Sequence, residues 1–276
     1  MSENNAPPII FDRTIKTLRR ERAQRRKGRF IIQRIAQDAV DRIQEVNRTF
    51  ETMLVTGHSG FKTDILSSLP TSKRPATLYT DLENCTPDSL DIALSLLELH
   101  SENDPVGHLI RIHEKLKPDG VLMAVMFGGE TLARLKQAFY AFDQARFGGV
   151  TPRVFPSISH VQAGDLLRRA GYALPVIDKD VLRVHYSRLQ TLISDLRDMG
   201  ETNFLTTRKR DYLGRSIYKQ LEDAYPKDAD KSKFPTQFEF LWLSGRTPHE
   251  SQQTPLKPGS AKIHLSEALK PKSESS

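Results

Sequence analysis

Short apolar segments that alternate with helical segments are the feature that most limits how this chain can fold. Residues 89–96 are almost continuously apolar, which predicts a strand buried on both faces and paired in parallel with its neighbours. Strand-length apolar segments also occur at residues 53–56, 76–80 and 121–127. The alternation with helices predicts an α/β fold with a doubly wound, Rossmann-like sheet that is mostly parallel.

The helical segments between these strands are marked by periodicity and by capping residues. Apolar residues at three- and four-residue spacing predict a helix over residues 11–48. Pro105 suits the first turn of a helix that continues to Leu116, where a tight turn over residues 117–120 leads into the next strand. Two more helices are predicted over residues 131–145 and 159–170.

The pattern changes towards the C-terminus. Strands are predicted at residues 176–178, 181–186 and 237–243, with helices at 187–199 and 207–224 between them. We expect these last strands to join the sheet in the antiparallel direction. The alternating aromatic residues of the last strand favour the protein core over a base-stacking platform; they are Phe238, Phe240 and Trp242.

Length and composition limit the domain organisation and the compartment. A chain of 276 residues with 38% hydrophobic residues can bury one substantial core. We expect a basic helical extension over 1–50, one α/β domain over 51–245 and a largely disordered tail over 246–276, with a short element near 263–269. With one cysteine, Cys85, and no signal-peptide pattern, we expect a cytoplasmic protein in a bacterium, or a matrix protein if the source is eukaryotic.

The excess positive charge lies near the N-terminus. The formal net charge is +7, and a basic helix of this kind can hold an acidic partner, RNA or an anionic membrane surface. We expect an acidic partner for this helix, and the alternative is a solvated helical arm. The clustered cations are Arg13, Lys16, Arg19, Arg20, Arg22, Arg25, Arg26, Lys27, Arg29 and Arg34.

Several linked motifs carry a resemblance to a known family. LSLLELH at residues 94–100, Asn103-Asp104, LKPDGV at 116–121 and MFGGETL at 126–132 are similar to the mitochondrial complex I assembly factor that hydroxylates an arginine of a complex I subunit, and to its alphaproteobacterial relatives. Two further segments match the same family, the FDR opening at 11–13 and DLRDMGETN at 195–203. The resemblance implies a class I methyltransferase fold that acts on a protein substrate, and it extends more distantly to malonyl-acyl-carrier-protein methyltransferases.

The same resemblance implies where S-adenosylmethionine would bind. In that fold the first strand ends in an acidic residue and a glycine-rich loop, because glycines let the backbone approach the cofactor closely. Here Leu54, Thr56 and His58 stand at the positions of the carboxylate and two glycines, Gly60 is in register, and Gly57 is one position away. The implied cofactor-binding residues are Gly57 and Gly60.

Asp81 matches the carboxylate that holds the ribose hydroxyls in the family, and a surface turn residue is the alternative. Between Asp81 and Ser89 the chain lacks a helix and a strand that help to hold adenine in relatives. Gly128 and Gly129 follow a mid-sheet strand and suit either a substrate rim or a plain tight turn.

The histidines suggest a weaker alternative. His100, Glu102 and either His108 or His113 have a spacing that an iron site with two histidines and one carboxylate would share, but structural histidines are favoured and we predict no metal site.

Two functions remain from the sequence: a methyltransferase-like protein acting on a protein substrate in complex I assembly, or a scaffold that has lost the cofactor. Nucleic-acid binding by the basic N-terminal helix is a third hypothesis and is disfavoured.

Overall fold

The computed structural model describes residues 8–26, 28–209, 215–228 and 232–253. Within these ranges the chain forms a six-stranded sheet of order β2-β1-β3-β4-β6-β5. The strands are β1 (Thr52–Thr56), β2 (Thr77–Tyr79), β3 (Leu90–Leu96), β4 (Leu116–Phe127), β5 (Ala173–Tyr186) and β6 (Phe234–Arg246).

Helices connect the strands, and several begin at the polar caps that the sequence provides. Asp104 accepts a hydrogen bond from the Gly107 N–H ahead of Pro105, and Ser159 forms a capping box with Gln162. The helices are α1 (Arg13–Gln24), α2 (Phe30–Glu45), α3 (Gly60–Ser68), α4 (Pro105–His113), α5 (Ala133–Phe147), α6 (His160–Arg169), α7 (Leu189–Met199) and α8 (Arg215–Ala224).

The pairing of the strands confirms the predicted fold class. Strands β2, β1, β3 and β4 are parallel neighbours, whereas β6 pairs antiparallel with both β4 and β5. All seven residues of β3 are buried, as the continuous apolar segment predicts. The result is a mixed, mostly parallel α/β sheet, with the antiparallel pairing at the C-terminal strands.

Two apolar cores lie on opposite faces of this sheet. Helices α2, α3, α5 and α7 contribute to one core, and α4 and α6 contribute to the other. Helix α2 is packed on the sheet through a fully apolar face consisting of Ile31, Ile32, Ile35, Ala36, Ala39, Val40 and Ile43. Burial of each large aliphatic side chain is worth about 1.5–3 kcal/mol. Helix α2 therefore shares one core with β1. The boundary predicted at residue 50, between the helical extension and the main domain, stays a prediction.

The predicted single helix over residues 11–48 is wrong in one respect, because it is divided into α1 and α2. The chain turns near Gly28, where a side chain would collide with the Asp198 carboxylate. Arg26, on one side of the turn, pairs with Asp198. Arg29, on the other side, pairs with Asp64. These pairs hold the turn against α7 and α3.

Three other boundaries also differ from the prediction. Helix α4 ends at His113, and Leu116 already belongs to β4, so the predicted turn lies inside that strand, where Asp119 has a φ of 59°. The two strands predicted at 176–186 are one continuous strand, β5. Of the helix predicted at 207–224, the structure describes α8. Residues 254–276, which hold most of the predicted tail and the element near 263–269, lie outside the described residues.

The connection between β2 and β3 is short, as the sequence indicates. It contains a single 3₁₀ turn, Leu82–Asn84, and no strand, so β2 lies at the edge of the sheet. Cys85 ends this turn and is buried, and burial raises the pKa of its thiol. In the part of the chain that the structure describes, no helix is long and apolar enough to cross a bilayer.

Candidate functional site

The loop after β1 keeps the strand, glycine turn and helix that the sequence predicts. Gly57 has a φ of 118°, and a side chain there would collide with the carbonyl oxygen of Leu96 on β3. Only glycine fits this combination of backbone angle and close approach. Helix α3 then begins at Gly60, at the carboxyl edge of the parallel strands, where open α/β sheets bind their ligands.

The side chain of His58 lies in the interior of this loop. It is 6% exposed, and its Nδ1 accepts a hydrogen bond of 3.0 Å from the Gly60 N–H. Its Nε2 is buried without a hydrogen-bond partner among the described residues. Burial lowers the pKa of His58, and the nearby Arg20 and Arg29 lower it further. The neutral imidazole of His58 therefore accepts a hydrogen bond from one of the N–H groups at the start of α3.

Helix α1 lies across the same edge and places two cations over β3. Lys16 Nζ donates to Glu98 and Glu102 at 3.0 Å each. Arg20 pairs with Glu98, donates to the Leu97 carbonyl at 2.7 Å and reaches Glu201 at 3.2 Å. We call this group the edge cluster; it comprises Lys16, Arg20, Glu98, His100, Glu102 and Glu201.

The charges of the edge cluster are buried and mutually neutralised. Burial raises the pKa of Glu98, but Arg20 and Lys16 outweigh that effect and hold the pKa at about 2. Burial likewise opposes ionisation of Glu201, yet His100 and Arg20 bring the pKa of that carboxyl below its ordinary value. Burial would lower the pKa of Arg20, and Glu98 and Glu201 raise it instead. The cluster is a compact set of ion pairs at the carboxyl edge of the sheet.

The histidines of the considered iron site are separated from one another. His100 Nε2 donates to Glu201 at 3.0 Å, and its ring packs between Phe127 and Phe155. His108 lies 3.5 Å from the Ser95 hydroxyl, whereas the ring of His113 packs on Tyr172. Glu102 pairs with Lys16. Among the described residues, no group of three or more histidine, cysteine, aspartate or glutamate side chains is arranged to hold a metal ion.

Asp81 and the two glycines after β4 have structural partners. Asp81 is exposed beyond β2, and its Oδ1 accepts a hydrogen bond of 3.1 Å from the Glu83 N–H. Gly128 donates to the Glu239 carbonyl at 2.8 Å, and a side chain there would collide with the Glu239 side chain. Gly129 is exposed at the rim. Close packing explains Gly128 without a ligand.

A cleft of about 840 Å³ lies beside the edge cluster, between α1, α5, α7 and α8. Its floor is apolar; it includes Leu132, Leu135, Phe139, Val154, Phe155, Ile193, Leu196, Ile217 and Leu221. Its cations come from α1 and from the segments after β4 and β5, and they are Arg19, Arg22, Arg26, Arg153, Arg197, Arg208 and Lys209. We call this space the arginine cleft. Gly57, Gly60 and Asp81 do not line it.

The sequence predicted neither the edge cluster nor the arginine cleft, because both combine residues far apart along the chain. The basic N-terminal segment and the matching segment at 195–203 were the available signals. The structure brings these motifs together: Asn103 holds the Ile10 and Phe11 backbone N–H groups at 2.8 Å each, and the Asp12 N–H donates to the Phe204 carbonyl at 2.9 Å.

Much of the positive charge of the basic segment is paired within the protein. Several of its cations pair with carboxylates of the chain itself: Arg13, Lys16, Arg20, Arg26, Arg29 and Arg34. Arg19, Arg22 and Arg25 form no ion pair in the residues that the structure describes. The surface available to an acidic partner is thus smaller than the sequence suggests.

Comparison with curated proteins decides the family. The chain is 31% identical to a protein of Danio rerio named "Arginine-hydroxylase NDUFAF5, mitochondrial", over 95% of this chain and 90% of that protein. The chain belongs to this family. The protein of the same name from Homo sapiens is 29% identical over 94% of the chain. With the Dictyostelium discoideum member the identity is 36%, and the chain spans only 46% of that protein's length.

Other similarities are more distant. A malonyl-[acyl-carrier protein] O-methyltransferase of Laribacter hongkongensis is 32% identical over 62% of the chain and 56% of its own length. Among solved structures, the YcgJ protein of Bacillus subtilis is 11% identical, with a TM-score of 0.47 over 75% of this chain and 97% of that chain. The chain matches none of the protein-family models with which it was compared.

Proposed function

We propose that the chain is a protein-binding factor of respiratory complex I assembly that keeps the methyltransferase fold and does not transfer a methyl group from S-adenosylmethionine. One observation carries this proposal: α1 fills the carboxyl edge over β3 with the buried ion pairs of Arg20 and Lys16. The family name of the relatives supports a role on a protein substrate. We expect it to act in the bacterial cytoplasm, or in the matrix of a eukaryote.

S-adenosylmethionine is the cofactor that this fold implies, and the residues at the edge do not fit it. The guanidinium of Arg20 donates to the Leu97 carbonyl, directly beyond β3, and the ring of His58 lies inside the loop where a glycine would leave space. A ligand there must displace Arg20 from Glu98 and Glu201. Separating such a buried pair costs about 3–5 kcal/mol, which opposes binding of the cofactor.

Methyl transfer is the competing function, and the Gly57 turn favours it. In that case Gly57 and Gly60 would approach the cofactor through their backbones, and Asp81, which is exposed, would hold the ribose hydroxyls. The main-chain path needed for such a loop is present at Gly57. This function requires that α1 move away from the edge.

Calorimetric titration of the full chain with S-adenosylmethionine separates these functions. We expect no saturable heat from the wild-type chain. Saturable binding that Asp81→Asn weakens would instead support methyl transfer, and Asp88→Asn, in the exposed turn before β3, is the matched control. A retained thermal unfolding transition in each variant verifies that the chain is folded.

The name of the relatives also implies modification of an arginine. We expect complex I of the source organism to assemble poorly when the chain is deleted. Mass spectrometry of the complex I subunits then tests for an arginine that carries one additional oxygen atom in the wild type and is unmodified in the deletion strain. Normal assembly of the complex without this chain would contradict the proposed role, whatever the result of the titration.

A further inference from the structure

The arginine cleft has cations that no described carboxylate neutralises. Three of its lining cations have partners, since Arg26 pairs with Asp198, Arg153 with Asp143 and Arg208 with Asp12. The others form no ion pair in the described parts of the chain, and they are Arg19, Arg22, Arg197 and Lys209. The carboxylate in the lining, Glu201, is 1% exposed and committed to Arg20 and His100.

Arg19 lies close enough to two other cations of the cleft, Arg22 and Arg208, to be repelled by them. Burial lowers the pKa of Arg19, and the neighbouring charges of Arg208 and Arg22 lower it further, while the Asp12 carboxylate acts in the opposite direction. Nη1 of Arg19 is buried and has no hydrogen-bond partner among the described residues. A buried guanidinium N–H without an acceptor is unfavourable. An anion bound in the cleft would relieve the repulsion at Arg19.

The floor of the cleft adds a second requirement on the ligand. Leu135 and Phe155 are buried, and Phe139 and Ile193 are packed against the same core. These apolar side chains favour an apolar body, whereas the guanidinium groups at the rim favour a carboxylate, to which arginine can donate two parallel hydrogen bonds. A volume of about 840 Å³ is that of a small-molecule site.

We propose that the arginine cleft binds a small amphipathic carboxylate, with the carboxylate at Arg19, Arg22 and Arg197 and an apolar chain on the floor formed by α5, α7 and α8. This site is distinct from the Gly57–Gly60 loop. Its occupancy does not depend on a protein substrate or on complex I.

Calorimetric titration of the full chain with decanoate tests this proposal. We expect saturable binding of decanoate and none of acetate, which lacks the chain, or of decyltrimethylammonium, which carries the opposite charge. Arg22→Gln combined with Arg197→Gln should weaken binding at least about ten-fold, since both substitutions remove charged hydrogen-bond donors to the carboxylate. Higher salt should weaken the wild-type affinity as well.

Arg25→Gln is the matched control, because Arg25 is exposed at the end of α1 and does not line the cleft. It removes one charge from the same helix and should leave decanoate affinity within two-fold, roughly the effect of a distant charge. Absence of decanoate binding, equal binding of the cationic analogue, or equal affinity in the double variant and the control would each overturn the proposal. Unchanged circular dichroism verifies that the double variant is folded.

Discussion

The edge cluster and the arginine cleft share one helix but differ in how their charges are balanced. Lys16 and Arg20 of α1 turn towards Glu98, Glu102 and Glu201, and every one of these groups has an opposite charge within reach. On an adjacent face of the same helix, Arg19 and Arg22 line the cleft, and the charges of Arg22 and Arg208 repel Arg19. A basic helix can therefore be a structural clamp on one face and a ligand surface on the other.

The largest expected effect comes from breaking the edge cluster. Arg20→Met leaves Glu98 and Glu201 buried without their guanidinium partner, so we expect the free energy of unfolding to fall by about 3–5 kcal/mol. Urea denaturation measures this change. Arg25→Met, on the exposed side of the same helix, should change the free energy by less than about 0.5 kcal/mol. Equal losses in the two variants would show that Arg20 does not fasten α1 to the sheet.

The pH dependence of stability should report the same cluster. Because the pKa of Glu98 is depressed from 4.5 to about 2 in the folded chain, its contribution is complete above the unfolded pKa and is lost as the pH falls from 4.5 to about 2. The contribution amounts to at most about 3 kcal/mol. Urea denaturation across this interval should show a flatter dependence in Glu98→Gln than in the wild type.

The control for this experiment is Glu83→Gln, an exposed carboxylate in the turn after β2. Its pH profile should parallel that of the wild-type chain. A Glu98→Gln profile as steep as that of the control would mean that Glu98 does not lose its ion pairs at low pH, and the compensated charges of the edge cluster would then contribute little to stability.

The fold was predictable because each strand and each capping residue acts locally. Apolar segments of strand length marked β1, β3 and β4, and Ser159 marked the start of α6. The division of the N-terminal helix was not predictable, because the turn at Gly28 depends on Asp198 of α7. Likewise, no local sequence signal indicates that the two strands predicted at 176–178 and 181–186 form one continuous strand paired with β6.

Of the candidate site, the sequence predicted only the glycine turn. The sequence and the family resemblance directed attention to the carboxyl edge at Gly57, where the turn indeed lies. They did not indicate that Arg20 crosses this edge to reach Glu201, because that contact joins residues far apart in the chain. Long-range charge pairing has no periodic signal in the sequence, and this explains why a clustered basic segment suggested an external partner.

Alanine substitutions at Gly57 and Gly60 test which part of the loop after β1 the fold requires. Gly57→Ala forces a side chain into the Leu96 carbonyl at a φ of 118°, so we expect a loss of about 2–3 kcal/mol in the free energy of unfolding. At Gly60 the atoms nearest to an added methyl group belong to the side chains of Arg29 and His58. Because alanine also favours the helix, Gly60→Ala should change the free energy by less than about 1 kcal/mol. Equal losses would indicate that the turn at Gly57 is not required by the fold.

The smallest expected effect lies in the arginine cleft. Because Arg22 forms no ion pair in the described residues and lies near Arg19, Arg22→Gln should leave the free energy of unfolding unchanged or raise it by up to about 0.5 kcal/mol. Any gain should disappear in high salt, since exposed charges are screened there. Urea denaturation at low and high salt measures both values. A loss larger than about 1 kcal/mol would mean that Arg22 is neutralised within the protein, and the contrast between cleft and edge would no longer hold.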